Sequence, residues 1–294
     1  TLKNQAAFPL YTPAWPAYMV DYAKKRSADP SLPAVIVNPN DATRYLYMGN
    51  TDWLKEGYNS TAPSQDVSIN LSQKTDKLGY YFSADYYNQD GAVRYNADNY
   101  KRYNMRGKVD FAATNWLTFA NNTSFTNIAY NSPTYLDGNY FWNLNRTPAF
   151  SVPRNPDGSW TSDGASQLGS IIEGGRSNSK LNDFQTTLSF NASVIKDVWS
   201  IKGDATFRRT AGLERRYEKP VPYKDGPNGV VKYSGGLTGS ATDNTSNVAY
   251  NVYNIYTEAH KKLGEHYFSV LAGYNQEERM STNNSAKRNG IISY

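Results

Sequence analysis

The stretch LNDFQTTLSFNASVIKDVWSIKGDATFRR, residues 181–209, alternates apolar and polar side chains on both sides of one interruption. Phe184, Leu188, Phe190, Ala192 and Val194 fall on even positions, with Gln185, Thr187, Ser189, Asn191 and Ser193 between them. After Lys196-Asp197 the parity switches: Trp199, Ile201, Ala205 and Phe207 are odd, while Ser200, Lys202, Asp204, Thr206 and Arg208 are even. A period of two sends successive side chains to opposite faces, so the stretch predicts an antiparallel hairpin with one apolar and one polar face. Its arms are long. A soluble strand usually has ~5–6 residues, whereas a tilted strand crossing a bilayer needs ~9–11. The length predicts that the apolar face meets lipid.

The pattern extends outward from this hairpin. Upstream, Val67, Ile69 and Leu71 alternate with serine and asparagine, and a turn follows at Asp76–Gly79. Tyr80, Phe82, Ala84 and Tyr86 form the next set, then Tyr103, Met105, Val109 and Phe111. Thr114-Asn115 turns the chain into Trp116–Asn127. Downstream come Asn247–His260, a turn at Lys262–Gly264, and a last set of Phe268, Val270, Ala272 and Tyr274 before a polar tail from Glu277. Together these make eight candidate strands. Short turns near 75–79, 114–115, 196–197 and 261–264 alternate with longer connections near 90–100, 128–180 and 210–245. Short turns on one rim and long loops on the other are the pattern of an outer-membrane barrel. The fold class predicted is therefore all-β, an antiparallel transmembrane β-barrel segment with long extracellular loops.

Composition agrees. Hydrophobic residues are 39% of the chain and mean hydropathy is −0.70, which excludes membrane helices but not barrel strands, whose faces are only half apolar. The chain has 25 Tyr, 11 Phe and 6 Trp, and tyrosine, with an apolar ring and a wet hydroxyl, suits a membrane interface or a sugar-binding surface. The net charge of +5 is scattered. A nucleic-acid protein would gather it into a patch or stripe, so that class is set aside. With no Cys there is no thiol nucleophile, disulfide or thiolate site. The two histidines, His260 and His266, flank a short turn with no evident third ligand. No catalytic constellation, metal site or cofactor site is predicted, and the chain is read as a non-enzyme.

The remaining segments read as loops. Residues 1–64 form a surface region with a short helix opened by Trp15-Pro16, carrying Lys24, Lys25 and Arg26 in its last turn, where cations favour the dipole. Residues 38–57 show no clear period and read as loop. The long connection 128–180 carries Tyr135, Tyr140, Phe141, Trp142 and Trp160, more aromatics than a disordered linker holds, and these five are the candidate ligand contacts. Within it, Asn155-Pro156-Asp157-Gly158 fits a type I turn.

Asn50-Thr51-Asp52-Trp53, followed by Thr61-Ala62-Pro63-Ser64-Gln65, resembles the SusC/RagA-type TonB-dependent transporters of Bacteroidetes outer membranes. Tyr86–Gly91, Tyr100–Tyr103, Asn115-Trp116-Leu117, Arg146-Thr147-Pro148 and Glu173-Gly174-Gly175-Arg176 are similar to later landmarks of that family, in the same order. The resemblance implies a barrel of about 22 strands filled by an N-terminal plug and capped by a SusD-like surface lipoprotein. It implies TonB-powered import of an oligosaccharide or peptide across the bacterial outer membrane. These residues hold no plug and no TonB box, and eight strands leave two open edges, which do not persist in lipid. The expectation is an internal piece of a longer transporter. Two alternatives stand beside it: a free-standing eight-stranded barrel, whose interior side chains can fill, and a soluble glycan-binding β-protein, whose apolar faces would have to pair as a core.

Overall fold

The computed structural model describes residues 17–291. Helix α1 (Ala17–Ala28) opens the described chain; Trp15 and Pro16, read as its start, lie outside the described residues. A small hairpin follows, β1 (Val35–Asn38) with β2 (Asp41–Tyr47), and then α2 (Trp53–Gly57). The segment read as loop thus carries a hairpin and a helix. The turn chemistry explains it, because the Asn40 amide donates to the Asn38 side chain across the hairpin turn at 2.9 Å. Asp52 caps α2 by accepting from the Lys55 amide at 3.1 Å.

Eight long strands then form one antiparallel sheet in the order β12-β11-β8-β7-β6-β5-β4-β3, an unbroken meander. They are β3 (Ser64–Lys74), β4 (Leu78–Asp90), β5 (Asn99–Ala112), β6 (Leu117–Pro133), β7 (Arg176–Ile195), β8 (Trp199–Glu218), β11 (Gly239–Leu263) and β12 (His266–Ile291). All eight fall where the alternation placed them, and several run further. β11 has 25 residues and β12 has 26, so the stretch from Glu277 is strand to Ile291 rather than tail. The long connections shrink accordingly to 91–98, 134–175 and 219–238. The founding hairpin pairs Leu188 with Ala205, Phe190 with Gly203 and Ala192 with Ile201, which puts the even residues of β7 on one face with the odd residues of β8 up to a register shift between Ser193 and Ile195, where Ile195 partners Trp199. Asp197 turns it, with φ of 59°.

Register extends that face across the sheet. Phe119 lies beside Phe190, Phe111 beside Phe119, Tyr253 beside Ala205, and Tyr274 beside Ile255. Among the described residues no second sheet covers it: Leu188 is 52% exposed, Ile255 50% and Val270 67%. The apolar band has clear limits. On β7 it runs from Phe184 to Val194 and on β8 from Trp199 to Phe207, matching the ~9–11 residues of a spanning strand. Trp199 and the exposed Trp116 stand at the short-turn end. Toward the long loops the same face turns polar, where Asn127 donates to Asn182 at 2.6 Å and Arg209 to Asn251 at 2.8 Å. Above that line both faces are wet, so about 45 Å of β11 stands clear of the apolar band.

The opposite face carries the charged side chains, with a few aliphatic ones among them, such as Leu181, Val252 and Leu271. Arg208 makes a two-pronged contact with Asp183 at 2.8 and 2.9 Å, Arg102 reaches Asp85 at 3.4 Å, and Lys202 reaches Glu258 at 3.5 Å. β3 and β12 do not pair with each other, so the sheet is open at both edges. A closed eight-stranded barrel is not what these strands form, and the uncovered apolar face is not the paired core of a soluble sandwich.

Candidate functional site

The buried core lies in the loops. Trp53, Val93, Tyr140, Leu144, Trp160, Ala165, Leu168, Ile171 and Val221 pack together at the long-loop rim. They come from four separated segments: α2, the 91–98 loop, the 134–175 loop with its two helical pieces, and β9 (Val221–Tyr223), which pairs with β10 (Lys232–Ser234). The first helical piece, α3 (Gly138–Arg146), is capped by Asp137, which accepts from the Tyr140 amide at 3.0 Å. The second, α4, runs through Ser162–Gly164, a π-helical turn Ala165–Gly169 and Ser170–Ile172, with Thr161 accepting from the Gly164 amide at 2.9 Å.

Trp53 has 0% exposure at the centre, and its indole N–H donates to the Pro148 carbonyl at 3.0 Å. Thr51 binds the chain nearby, donating from its amide to Ala149 at 2.8 Å and from its hydroxyl to Ser151 at 2.6 Å. At the far end Glu173 accepts from the Trp160 indole at 2.9 Å. Gly175 holds φ of 101°, and a Cβ there would collide with the Tyr217 carbonyl. Arg176 ties the base of the loop to the Asn96 and Asn131 side chains. Three of the landmarks noted in the sequence, at 50–53, 146–148 and 173–176, are therefore joints of one folded cap.

Beside this core lies a pocket of about 310 Å³, lined among others by Arg154, Trp160, Glu173, Tyr223 and Lys224. The Arg154 guanidinium sits 3.5 Å above the Trp160 ring and 3.8 Å from Glu173. Lys224 lies 3.6 Å from Asp157. Asn155 positions this wall: its buried side chain donates to the carbonyls of Trp160 at 3.2 Å and Lys224 at 2.9 Å, and accepts from the Tyr47 hydroxyl at 3.0 Å. Burial pushes the Tyr47 phenol well above its ordinary range, with the charge on Asp225 adding to the shift. The Asn155–Gly158 turn closes with the Gly158 amide on the Asn155 carbonyl at 2.9 Å, the i to i+3 bond of its expected type. Asp157 accepts from the Ser159 hydroxyl and amide, which holds its carboxyl below the usual value. The pocket offers an aromatic wall and fixed charges of both signs, and the described residues bring no nucleophile–base pair to it.

The five candidate aromatics are divided between two settings. Trp160 lines the pocket but is itself 5% exposed. Tyr140 is core, with a buried hydroxyl that has no hydrogen-bond partner. Tyr135 packs at the loop base against Gly174 and reaches the Gly235 carbonyl at 3.4 Å. Phe141 and Trp142 are exposed on α3, Phe141 stacked on Tyr58 with centroids 6.2 Å apart and Trp142 under the Arg146 guanidinium at 5.0 Å. Tyr223, Arg154 and Lys224 were not singled out from the sequence, because β9 is three residues long and gives no periodic signal.

No protein-family model and no curated protein matches the chain. Solved structures do match. The chain superposes on a structure of the RagAB peptide transporter with a TM-score of 0.69 and 18% identity, covering 99% of this chain and 33% of that one. The RagAB peptide importer in its "open-open" state gives 0.67 and 18%, over 99% and 32%. Its "closed-closed" state gives 0.66 and 20%, over 84% and 28%. At these identities the likeness establishes the fold, a stretch of antiparallel β-barrel wall of the kind those transporters contain. The chain spans no more than 33% of the length of any of the three.

Proposed function

We propose that this chain supplies part of the wall and much of the external cap of a TonB-dependent outer-membrane importer. The observation that carries the proposal is the sorting of connections. Every turn on one rim is short, and every long connection on the other joins a single folded cap with its own core. A wall with a 9–11-residue apolar band and a polar inner face is built to separate lipid from an aqueous passage. In this reading a SusD-like surface lipoprotein meets the cap, and TonB acts through a plug supplied by the rest of the transporter. No covalent chemistry is assigned to the chain.

The substrate we favour is a peptide. Exposed Phe141 and Trp142 offer stacking surface, and the pocket walled by Trp160 sets Arg154 and Lys224 near Glu173, so side chains and both termini of a peptide find partners. The structural neighbours, described as peptide importers, favour the same class. An oligosaccharide, which needs stacking without paired charges, is the second reading. The test is uptake by cells carrying the full transporter, with labelled peptides and oligosaccharides supplied separately. Peptide uptake should require TonB, and Trp142→Ala should raise the half-saturating concentration by about twofold to tenfold, the worth of one aromatic contact. Uptake of oligosaccharides alone would move the substrate to the second class. Uptake of both without TonB would overturn the importer.

A further inference from the structure

On the apolar face a groove of about 570 Å³ crosses five strands, β5 to β8 and β11. Its floor is made by Gly203 and Ala205, and its sides by Phe119, Leu188, Tyr253 and Ile255. The floor is low for a reason in the sequence. Gly203 and Ala205 occupy positions where the alternation otherwise places large side chains, and the Phe190 ring leans over Gly203 so closely that a Cβ there would strike it. Apolar surface on a membrane wall is ordinary, but a recess of this size bounded by aromatics is a shaped site.

Its depth and its rim say what fills it. From Ile255 to Lys261 on β11 is six residues along the same face, about 20 Å of strand, or about 14 Å of depth at the usual tilt. One leaflet of the hydrocarbon core is about 15 Å. The groove therefore lies one acyl-chain depth from the short-turn rim. That rim carries Lys196, Lys261 and Lys262, and Trp199 is fixed there by its indole N–H on the Thr257 hydroxyl at 2.7 Å. An interfacial tryptophan between lysines, one leaflet below an apolar recess, matches a phospholipid with an anionic head and its chain laid in the groove.

We propose that this groove is a binding site for one acyl chain of an anionic phospholipid from the leaflet at the short-turn rim, with the phosphate held by Lys196 and Lys261. The site rests on the membrane reading of the apolar face and adds a defined occupant to it. The experiment is native mass spectrometry of the full transporter, released from membranes in mild detergent and titrated with phosphatidylglycerol or phosphatidylcholine of equal chain length. One phosphatidylglycerol per chain should persist in preference to phosphatidylcholine. Ala205→Trp, which fills the groove, should abolish that retained lipid, while Thr206→Trp on the polar face leaves it in place. Lys196→Gln with Lys261→Gln leaves the wall untouched and should weaken retention by about fivefold for each lysine. Equal retention by wild type, Ala205→Trp and the lysine pair would overturn the site, as would an Ala205→Trp change in the number of transporter copies without lipid loss. If the apolar face met no lipid at all, none of the proteins would retain phospholipid of either class.

Discussion

Replacing Trp53 with alanine should melt the cap and leave the wall standing. The indole is fully buried among Leu144, Tyr140 and their neighbours, and truncating a buried tryptophan costs about 3–5 kcal/mol. The Pro148 carbonyl also loses its donor, adding about 1–3 kcal/mol if no water replaces it. A core of nine side chains drawn from four segments has no regular sheet behind it, so a loss of this size is comparable to the whole stability of a small domain, about 5–15 kcal/mol. Native-state amide exchange on the intact protein measures it, since local and global openings are read separately. Peptides covering 138–146 and 161–172 should exchange at least about a thousandfold faster, the factor for ~4 kcal/mol. Peptides covering 184–194 and 250–258 should not change. Trp53→Phe, which keeps most of the volume and loses the donor, should fall between. Unchanged protection in the cap, or equal acceleration in the strands, would refute an independently packed loop core.

Three further outcomes follow from single contacts. Tyr140→Phe removes a buried hydroxyl without a partner, so exchange in 138–146 should slow by a few-fold, the gain being about 1 kcal/mol; a loss of cap stability would show the hydroxyl to be bonded. Leu188→Lys puts a charge in the middle of the apolar band and should cost about 2–4 kcal/mol of unfolding free energy in bilayers, read from denaturant titration of the intact protein, whereas Thr187→Lys, one residue away on the polar face, should cost far less. The Asp157 carboxyl is held below its ordinary 3.8 by Ser159. A group depressed in the folded state contributes fully above the unfolded value and is lost as pH falls through the folded one. Protection of the Ser159 amide should therefore be flat from neutral pH to about 4.5 and fall below 3.8, and Asp157→Asn should remove that fall; loosening near neutrality would contradict the assignment.

The wall was legible in the sequence because a sheet with one apolar and one polar face sends successive side chains to opposite surroundings, and that writes a period of two. Where the strands leave the band the rule lapses. Asn283, Ser285 and Lys287 of β12 are wet on both sides, so a paired strand reads as a polar tail. The cap was illegible for the opposite reason. Its core takes one to three residues from each of several short pieces, and Trp53, Val93 and Val221 share no periodicity. Some punctuation was available and went unread: Asn38-Pro39-Asn40-Asp41 is a turn sequence between two β-branched or aromatic runs. The candidate site shows the same division. Aromatic density pointed to the right loop, yet Tyr140 is spent on packing and Trp142 lies on the surface, a distinction that burial decides and composition does not carry.

The proposed importer wall puts the even face of β7 against lipid and the odd face against water. Because these 294 residues contain no Cys, single cysteines at each position from 184 to 194 can be spin-labelled in the intact protein, reconstituted in bilayers. Collision rates with oxygen, which concentrates in lipid, and with a water-soluble nickel chelate then report the surroundings of each residue. The account predicts strict alternation, with oxygen favoured at Phe184, Leu188, Phe190, Ala192 and Val194 and nickel favoured at Gln185, Thr187, Ser189, Asn191 and Ser193. Nickel access at every position, or protection from both reagents on the even face, would contradict it.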